Sequence, residues 1–446
     1  MYEQHTNFLN TPLPIKNMGT RGHHTKSKNS IEKRVARMQK ELFGDVARGM
    51  PLTGREDITE VLMKGHPAFG GKLFRQAYSL IRKAIGDNYT MFISVAGPIT
   101  ASDYARVWMI PFIEKGYISA FTASDAISYH DAHDAVEGKR RIHDVDLYGD
   151  DGVYRDAQII RITDIGFPEE VLLNTDRFMS YILQQPEFQR KLTTTEYRWQ
   201  LGKYVHALEE KRKIPHGLTA TAYAYDVPGF CASPADGSTF LNAMKLWAMQ
   251  ERLGIMNRDQ KFNLEIDLHK DVYEFCALHH WAQQKEGNKE LSYIVCGGGA
   301  VKNYLLQPEP ALEQILFVPT KKYQIGVQIT TAPVTDGSLT SCWPSEAISW
   351  GKLQKDALTV SVPADYTMLM TVIAHAILKE REVYSDALNE EYGGNLEEMC
   401  KRVPQTRGFL REPQRLYAKR EEAMTLLDNA LAQHIGELEE SLYFEQ

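Results

Sequence analysis

The chain has 446 residues, of which 43% are hydrophobic and 24% charged, and a formal net charge of −7, which gives no sign of a general nucleic-acid binder. No apolar run approaches the ~20 residues of a membrane span, and the N-terminus lacks a signal-peptide core. The five cysteines are far apart with no C-x-x-C pair, so neither a disulfide framework nor a thiolate zinc site is indicated, and a reducing, cytoplasmic setting is expected.

Residues 1–29 are polar and aperiodic, and a mobile basic arm is expected over 1–50. Residues 16–40 carry eight Lys/Arg against one acid, Glu32; the run is either a docking arm for an acidic neighbour or a solvated tail leading into a helix. Ser30 can cap a helix with the face Ile31, Val35, Met38 and Leu42, closed by Gly44. Further helices fit Asp57–Lys64 and Lys72–Ile85. Thr90–Val95 reads as a buried strand, Ala96-Gly97-Pro98-Ile99-Thr100 as a turn, Ala101–Lys115 as a helix and Ile118–Phe121 as the next strand. This β-α-β unit predicts a mostly parallel, Rossmann-like sheet flanked by helices, with ligand contacts in loops 96–100 and 122–128.

His130 and His133 lie three apart beside Asp131 and Asp134, but no third metal ligand is evident. A polar helix start or a substrate contact is therefore expected there, and no metal. Residues 144–158 are an acidic loop or hairpin. Helices fit 168–184 and 194–211. Short strands with sharp turns are predicted over 216–232. Asp236-Gly237-Ser238 opens a helix to Gly254, and Asp236 either caps it or accepts ribose hydroxyls. Strands follow at 262–266 and 291–296, with a helix at 271–284 between them. Gly297-Gly298-Gly299 then lets the backbone approach a phosphate, or simply makes a tight turn.

The most informative stretch is Thr330 to Lys352, after an apolar strand at 323–329. Asp336-Gly337-Ser338 marks a turn, Pro344 suits a helix start and Gly351 a helix end. Lys352 follows beside Trp350. It is either a solvated lysine at a helix terminus or a desolvated amine able to attack an imine carbon. A last strand at 358–362, a helix at 366–380 and a charged helical segment to Gln446 complete the chain. The expected domains are the arm (1–50), an α/β domain (51–395) and a C-terminal helical extension (396–446).

Glu346-Ala347-Ile348-Ser349-Trp350-Gly351-Lys352 resembles the E-A-V-S-W-G-K signature of the deoxyhypusine synthase family. The Gly-Gly-Gly-Ala-Val-Lys-Asn segment, Ile-Thr-Thr-Ala, Asp236-Gly237-Ser238 and Thr122-Ala123 occur in the family's order. The resemblance covers roughly residues 50–395, and Asn303 with Gln307 resembles the bacterial branch. It implies an NAD-dependent transfer of an aminoalkyl group, in which Lys352 captures the fragment as an imine and an acceptor amine displaces it. Trp350 would border the amine chain, Glu346 would hold an ammonium group, and Asn303 would stand in the substrate site in place of the eukaryotic histidine. Ala96, Gly97, Thr122, Asp236, Gly298, Thr331 and Asp336 would surround NAD. A small amine substrate and a homotetramer with sites between subunits are implied too.

The sequence departs from the family pattern. Ile127 and Ser128 replace the paired glutamates. Leu241 (or Asn242) and Leu339 replace two further acids. Each lost carboxylate removes a charge-assisted contact worth ~1.5–3 kcal/mol; Asp103, Asp125, Asp131 or Asp134 are candidates to compensate. The leading expectation is a homospermidine-synthase-like transferase of small amines. Its alternatives are modification of a protein lysine and a non-catalytic NAD-binding paralogue.

Overall fold

Six apolar runs form one parallel sheet in the computed structural model, which describes residues 33–40, 42–44, 46–255, 261–284 and 290–443. The strands are β1 (Thr90–Val95), β2 (Ala120–Ala123), β3 (Gly229–Cys231), β4 (Leu291–Cys296), β5 (Tyr323–Thr330) and β6 (Leu353–Pro363). Their order is β6-β5-β4-β1-β2-β3, with every pairing parallel. The winding direction reverses between β1 and β4. At such a point the loops leaving neighbouring strands diverge and open a crevice at the carboxyl edge.

β1, β4 and β5 are buried along their whole length, which explains their unbroken apolar sequences. Alternate residues feed different cores. Met91, Ile93 and Val95 join one cluster with Ile294 and Cys296, while Phe92 joins another with Leu291, Tyr293 and Val295. β6, at the sheet edge, alternates in burial.

The helices that frame the site are α1 (Ile58–Lys64), α2 (Phe69–Gly86), α3 (Ala126–Glu137), α4 (Thr194–Arg212), α5 (Leu218–Ala224), α6 (Ser238–Glu251), α7 (Leu268–Gln284), α8 (Ala300–Leu306), α9 (Tyr366–Glu390) and α10 (Leu416–Leu431). α2 and α9 contribute to the first core, and α7, α8 and α10 to the second. α3, α4 and α6 share a third with the helix Glu169–Ile182. No helix among the described residues is long and apolar enough to cross a membrane. In the N-terminal unit, which ends at Arg48, residues 33–40 are helical; the arm before Lys33, with the cap at Ser30, lies outside the described residues.

Three expectations change. The helix predicted over Ala101–Lys115 is broken into a single turn at Pro98–Ala101, a π-turn at Ala105–Met109 and a short helix at Ile110–Glu114. Ser102 Oγ turns back onto the Pro98 carbonyl (2.7 Å), and Asp103 takes a left-handed conformation (φ 66°) with its carboxylate 3.1 Å from Arg106. Of the short strands and sharp turns predicted over 216–232, Gly229–Cys231 is a strand, while Leu218–Ala224 is instead α5. Asp131, far away in sequence, accepts the Leu218 and Thr219 amides at 3.0 and 2.7 Å and so caps that helix. Of the strand predicted at 262–266, only Glu265–Ile266 pairs, with Lys191–Leu192. The C-terminal helices reach into the body: Leu416 and Leu427 are buried in the second core, and the Tyr417 ring stacks on Trp199 at 4.8 Å.

The second core supports α8 from below. Phe275 is fully buried, stacks on Phe230 at 4.2 Å and meets Tyr304 of α8 at 5.3 Å. Phe275→Ala is expected to cost ~3–5 kcal/mol in chemical denaturation, because rigid β3 and α8 cannot collapse into the void.

Candidate functional site

The carboxyl edge of the sheet supplies the first half of the site. After β4, Gly297 and Gly299 take positive φ (85° and 74°), and a side chain at either would point into open space. Gly298 differs: a Cβ there would lie 2.7 Å from the Thr340 Cα, so this glycine lets the loop after β5 fold back over the turn. On the other side of the reversal, Gly97 seats the loop after β1 against the loop after β2, since a Cβ would come 2.6 Å from Ala126 Cβ. The open glycines beside the β1/β4 crevice fit the phosphates of a dinucleotide.

The other residues expected around the cofactor share this edge. Thr122 is fully buried and donates its hydroxyl to the Val301 carbonyl (2.8 Å), tying β2 to α8. Asp236 is exposed. Its neighbour Gly237 packs on Asp125, where a Cβ would lie 2.1 Å from the Asp125 Cβ. Asp125 is buried, accepts the Thr239 amide (3.0 Å), and is pushed up in pKa by burial against the counteracting charge of Arg198. Ala96 and Thr331 directly follow β1 and β5.

The second half is built on the return from β5 to β6. The short helix Glu346–Ser349 ends at Gly351, whose φ is 72°. The Gly351 amide donates to Ile348 (3.1 Å) and the Lys352 amide to Ala347 (3.0 Å), the paired closure of a Schellman motif. That closure fixes the direction in which Lys352 leaves the helix. Its Nζ donates to Asn303 Oδ1 at 2.9 Å and lies 5.9 Å from the centre of the Trp350 ring. Burial lowers the pKa of Lys352, and Cys342 nearby opposes the shift.

Lys352, Asn303, Glu346, Trp350 and Asp336 line a single cleft of about 800 Å³. Ala96, Gly97, Thr122, Asp236, Gly298 and Thr331 are not in its lining. The cleft holds a second lysine that the sequence reading passed over. Lys302, on α8, is buried and donates to Gln328 Oε1 (3.0 Å) and to the carbonyls of Thr340 (3.3 Å) and Cys342 (2.8 Å). Burial lowers its pKa also. Its place directly before Asn303 in the Gly-Gly-Gly-Ala-Val-Lys-Asn segment was the available signal.

The candidate compensating acids are engaged elsewhere. Asp131 caps α5, Asp125 binds the start of α6, and Asp103 and Asp134 pair with Arg106 and Arg140. His130 and His133 bond each other (3.1 Å), and His133 Nδ1 meets Thr175 Oγ1 (2.7 Å). Burial lowers the pKa of both histidines, to about 4 and about 3. Leu241 and Leu339, at two positions where acids are expected, are both exposed. Among the residues lining the cleft, the carboxylates are Asp336 and Glu346.

Lys302→Met should cost ~1.5–3 kcal/mol in denaturant unfolding, since it leaves two carbonyls and an amide oxygen without their charged donor. Hydrogen exchange should rise at Thr340–Cys342 in the same variant.

Comparison with known proteins agrees with these features. The deoxyhypusine synthase family profile matches residues 61–377. A deoxyhypusine synthase-like protein of Nostoc sp. is 30% identical over 340 residues, 74% of this chain and 84% of that one. The protein of the same name from Thermosynechococcus vestitus is 31% identical over 333 residues, 72% and 79% of the two chains. That of Nostoc punctiforme is 30% identical over 376 residues, 80% and 91%. The family carries out NAD-dependent aminobutyl transfer. With the signature lysine lining the cleft and the glycine turn at the sheet's switch point, the chain belongs to the deoxyhypusine synthase family.

Proposed function

We propose that the protein is an NAD-dependent aminoalkyl transferase acting on a small amine, homospermidine-synthase-like, through an imine on Lys352. The observation that carries this is the Lys352 amine, withdrawn from water, lowered in pKa and held at 2.9 Å by Asn303 Oδ1. An amine attacks carbon only in its neutral form, so desolvation raises the reactive fraction at neutral pH. NAD, when bound, would supply the redox chemistry, as acceptor and then donor of the hydride at the carbon that bears the amine. Gly297 to Gly299 would hold its phosphates, and Asp236, Thr331 and Asp336 lie along the edge where its sugars would run.

The chain's own groups handle the rest. Lys352 displaces the leaving amine and keeps the carbon fragment as an imine; the acceptor amine then attacks the same carbon and frees the lysine. Asn303 fixes the amine's position without a charge that would raise its pKa. With Asp336 taken up by the cofactor, Glu346 is the cleft carboxylate available to a distal ammonium group. This small acidic complement supports a short amine over a long polyamine or a lysine presented on a protein. Trp343, Trp350, Leu339 and Ile315 line the cleft yet are 47%, 62%, 55% and 66% exposed. Such an apolar rim supports a homo-oligomer, a tetramer on the family pattern, in which a second copy closes the site. A cytoplasmic setting accords with the three buried cysteines, Cys231, Cys276 and Cys296, which are all reduced.

Incubation with NAD and a panel of diamines, followed by borohydride, should leave a mass adduct on Lys352. Lys352→Ala should abolish both adduct and turnover while NAD binding is unchanged. Loss of NAD binding in that variant would identify a structural lysine instead, and transfer to a translation-factor lysine in preference to a free amine would support the protein-modifying alternative. The rate of adduct formation should rise with pH and level off through a midpoint below 10.5, the value of an unperturbed lysine. Asn303→Asp places a carboxylate beside the ammonium form and should move that midpoint upward by ~1–3 pH units.

A further inference from the structure

We propose that the end of α4 and the loop after it form a binding site for a divalent transition ion of the Zn²⁺ class, with His206, Glu210 and His216 as ligands. One ligating atom from each of the three lies within 4.8 Å of the others. His206 and Glu210 are four apart on α4 and therefore share a face. The chain then reverses at Lys213, in a left-handed conformation (φ 58°), and brings His216 back over the last turn. The two imidazoles are stacked, 4.3 Å between centres and 16° from parallel; a ring nitrogen ligates in the ring plane, so one ring turns about its Cβ–Cγ bond when both hold the ion.

The ligands are oriented by neighbours that have no part in the cleft. Glu209 Oε2 lies 3.0 Å from His216 Nδ1, so the opposite nitrogen, Nε2, faces Glu210 at 2.9 Å. A carboxylate on the far nitrogen of a ligating histidine fixes its tautomer and raises its basicity. Glu209 is in turn buried and holds the Gly217 amide (3.0 Å). Arg106 holds the His216 carbonyl at 2.7 Å, and Tyr223 meets the His206 ring edge-on at 5.6 Å. Two imidazoles and a carboxylate suit a borderline cation such as Zn²⁺. The ion would clip the end of α4 to the entry of α5, and the exposed side of Glu210 leaves its fourth position to water.

The test uses chelator-stripped, full-length protein titrated with Zn²⁺ against a chromophoric chelator. The expected result is one equivalent bound by the wild type and lost in His206→Ala and in His216→Ala. Glu209→Gln should weaken binding by ~10–100-fold. Glu210→Gln changes an exposed side chain, so loss of binding in this variant, with an unchanged circular dichroism spectrum, cannot be ascribed to unfolding. Co²⁺ should give the d–d absorption of a tetrahedral site in the wild type alone. An equivalent that survives in both histidine variants and in Glu210→Gln, or a wild type that takes up no Zn²⁺, overturns the proposal.

Discussion

The withdrawal of one ε-amine from water sets the conditions for everything else in the cleft. Moving an ammonium group into a half-buried position disfavours its charge, and among the described residues no carboxylate lies within bonding distance to restore it. It supplies a neutral amide oxygen, from Asn303, and an indole, from Trp350. This environment keeps the amine positioned and its pKa depressed together. The second buried lysine, Lys302, has a different part. Its hydrogen bonds go to the Gln328 side chain and to two backbone carbonyls of the loop that roofs the glycine turn, so its charge holds the chain in place.

Each half of the site depends on a backbone constraint outside it. The Schellman closure at Gly351 aims Lys352, and a residue with a side chain there would face both the positive φ and the Gln314 amide 2.9 Å away. Gly298 permits the loop carrying Thr340 to lie against the turn after β4. The reversal of winding between β1 and β4 opens the crevice to which those glycines belong. These glycines serve separate steric ends: Gly351 turns the chain, Gly298 admits a neighbour, and Gly297 and Gly299 leave room.

Much of this was legible in the sequence because it is local. The runs 90–95, 291–296 and 323–329 are too short and too apolar to be surface helices, and all three are strands of one sheet. The signature from Glu346 to Lys352 named the lysine, and the glycine triplet marked the turn. What escaped was decided at a distance. α5 is rich in threonine and alanine and carries no apolar stripe; Asp131 makes it a helix from 87 residues upstream. The break at Ser102–Asp103 depends on side chains turning back onto the backbone, which no hydrophobic period records. The nearness of His206 and His216 requires the left-handed reversal at Lys213, and ten residues across a helix end carry no recognisable spacing. The compensating role considered for Asp103, Asp125, Asp131 and Asp134 failed for the same reason: their partners are invisible until the chain is folded.

The brevity of α8 has a mechanical consequence. Seven residues at ~1.5 Å rise make a rod only ~10 Å long, with the glycine turn at one end and, a turn further on, the amide oxygen that holds Lys352. Thr122 pins the rod to the sheet near its start. A strut so short keeps the spacing of these two points nearly fixed, so a shift imposed where the phosphates would sit would carry over to the place where carbon–nitrogen bonds would be made and broken.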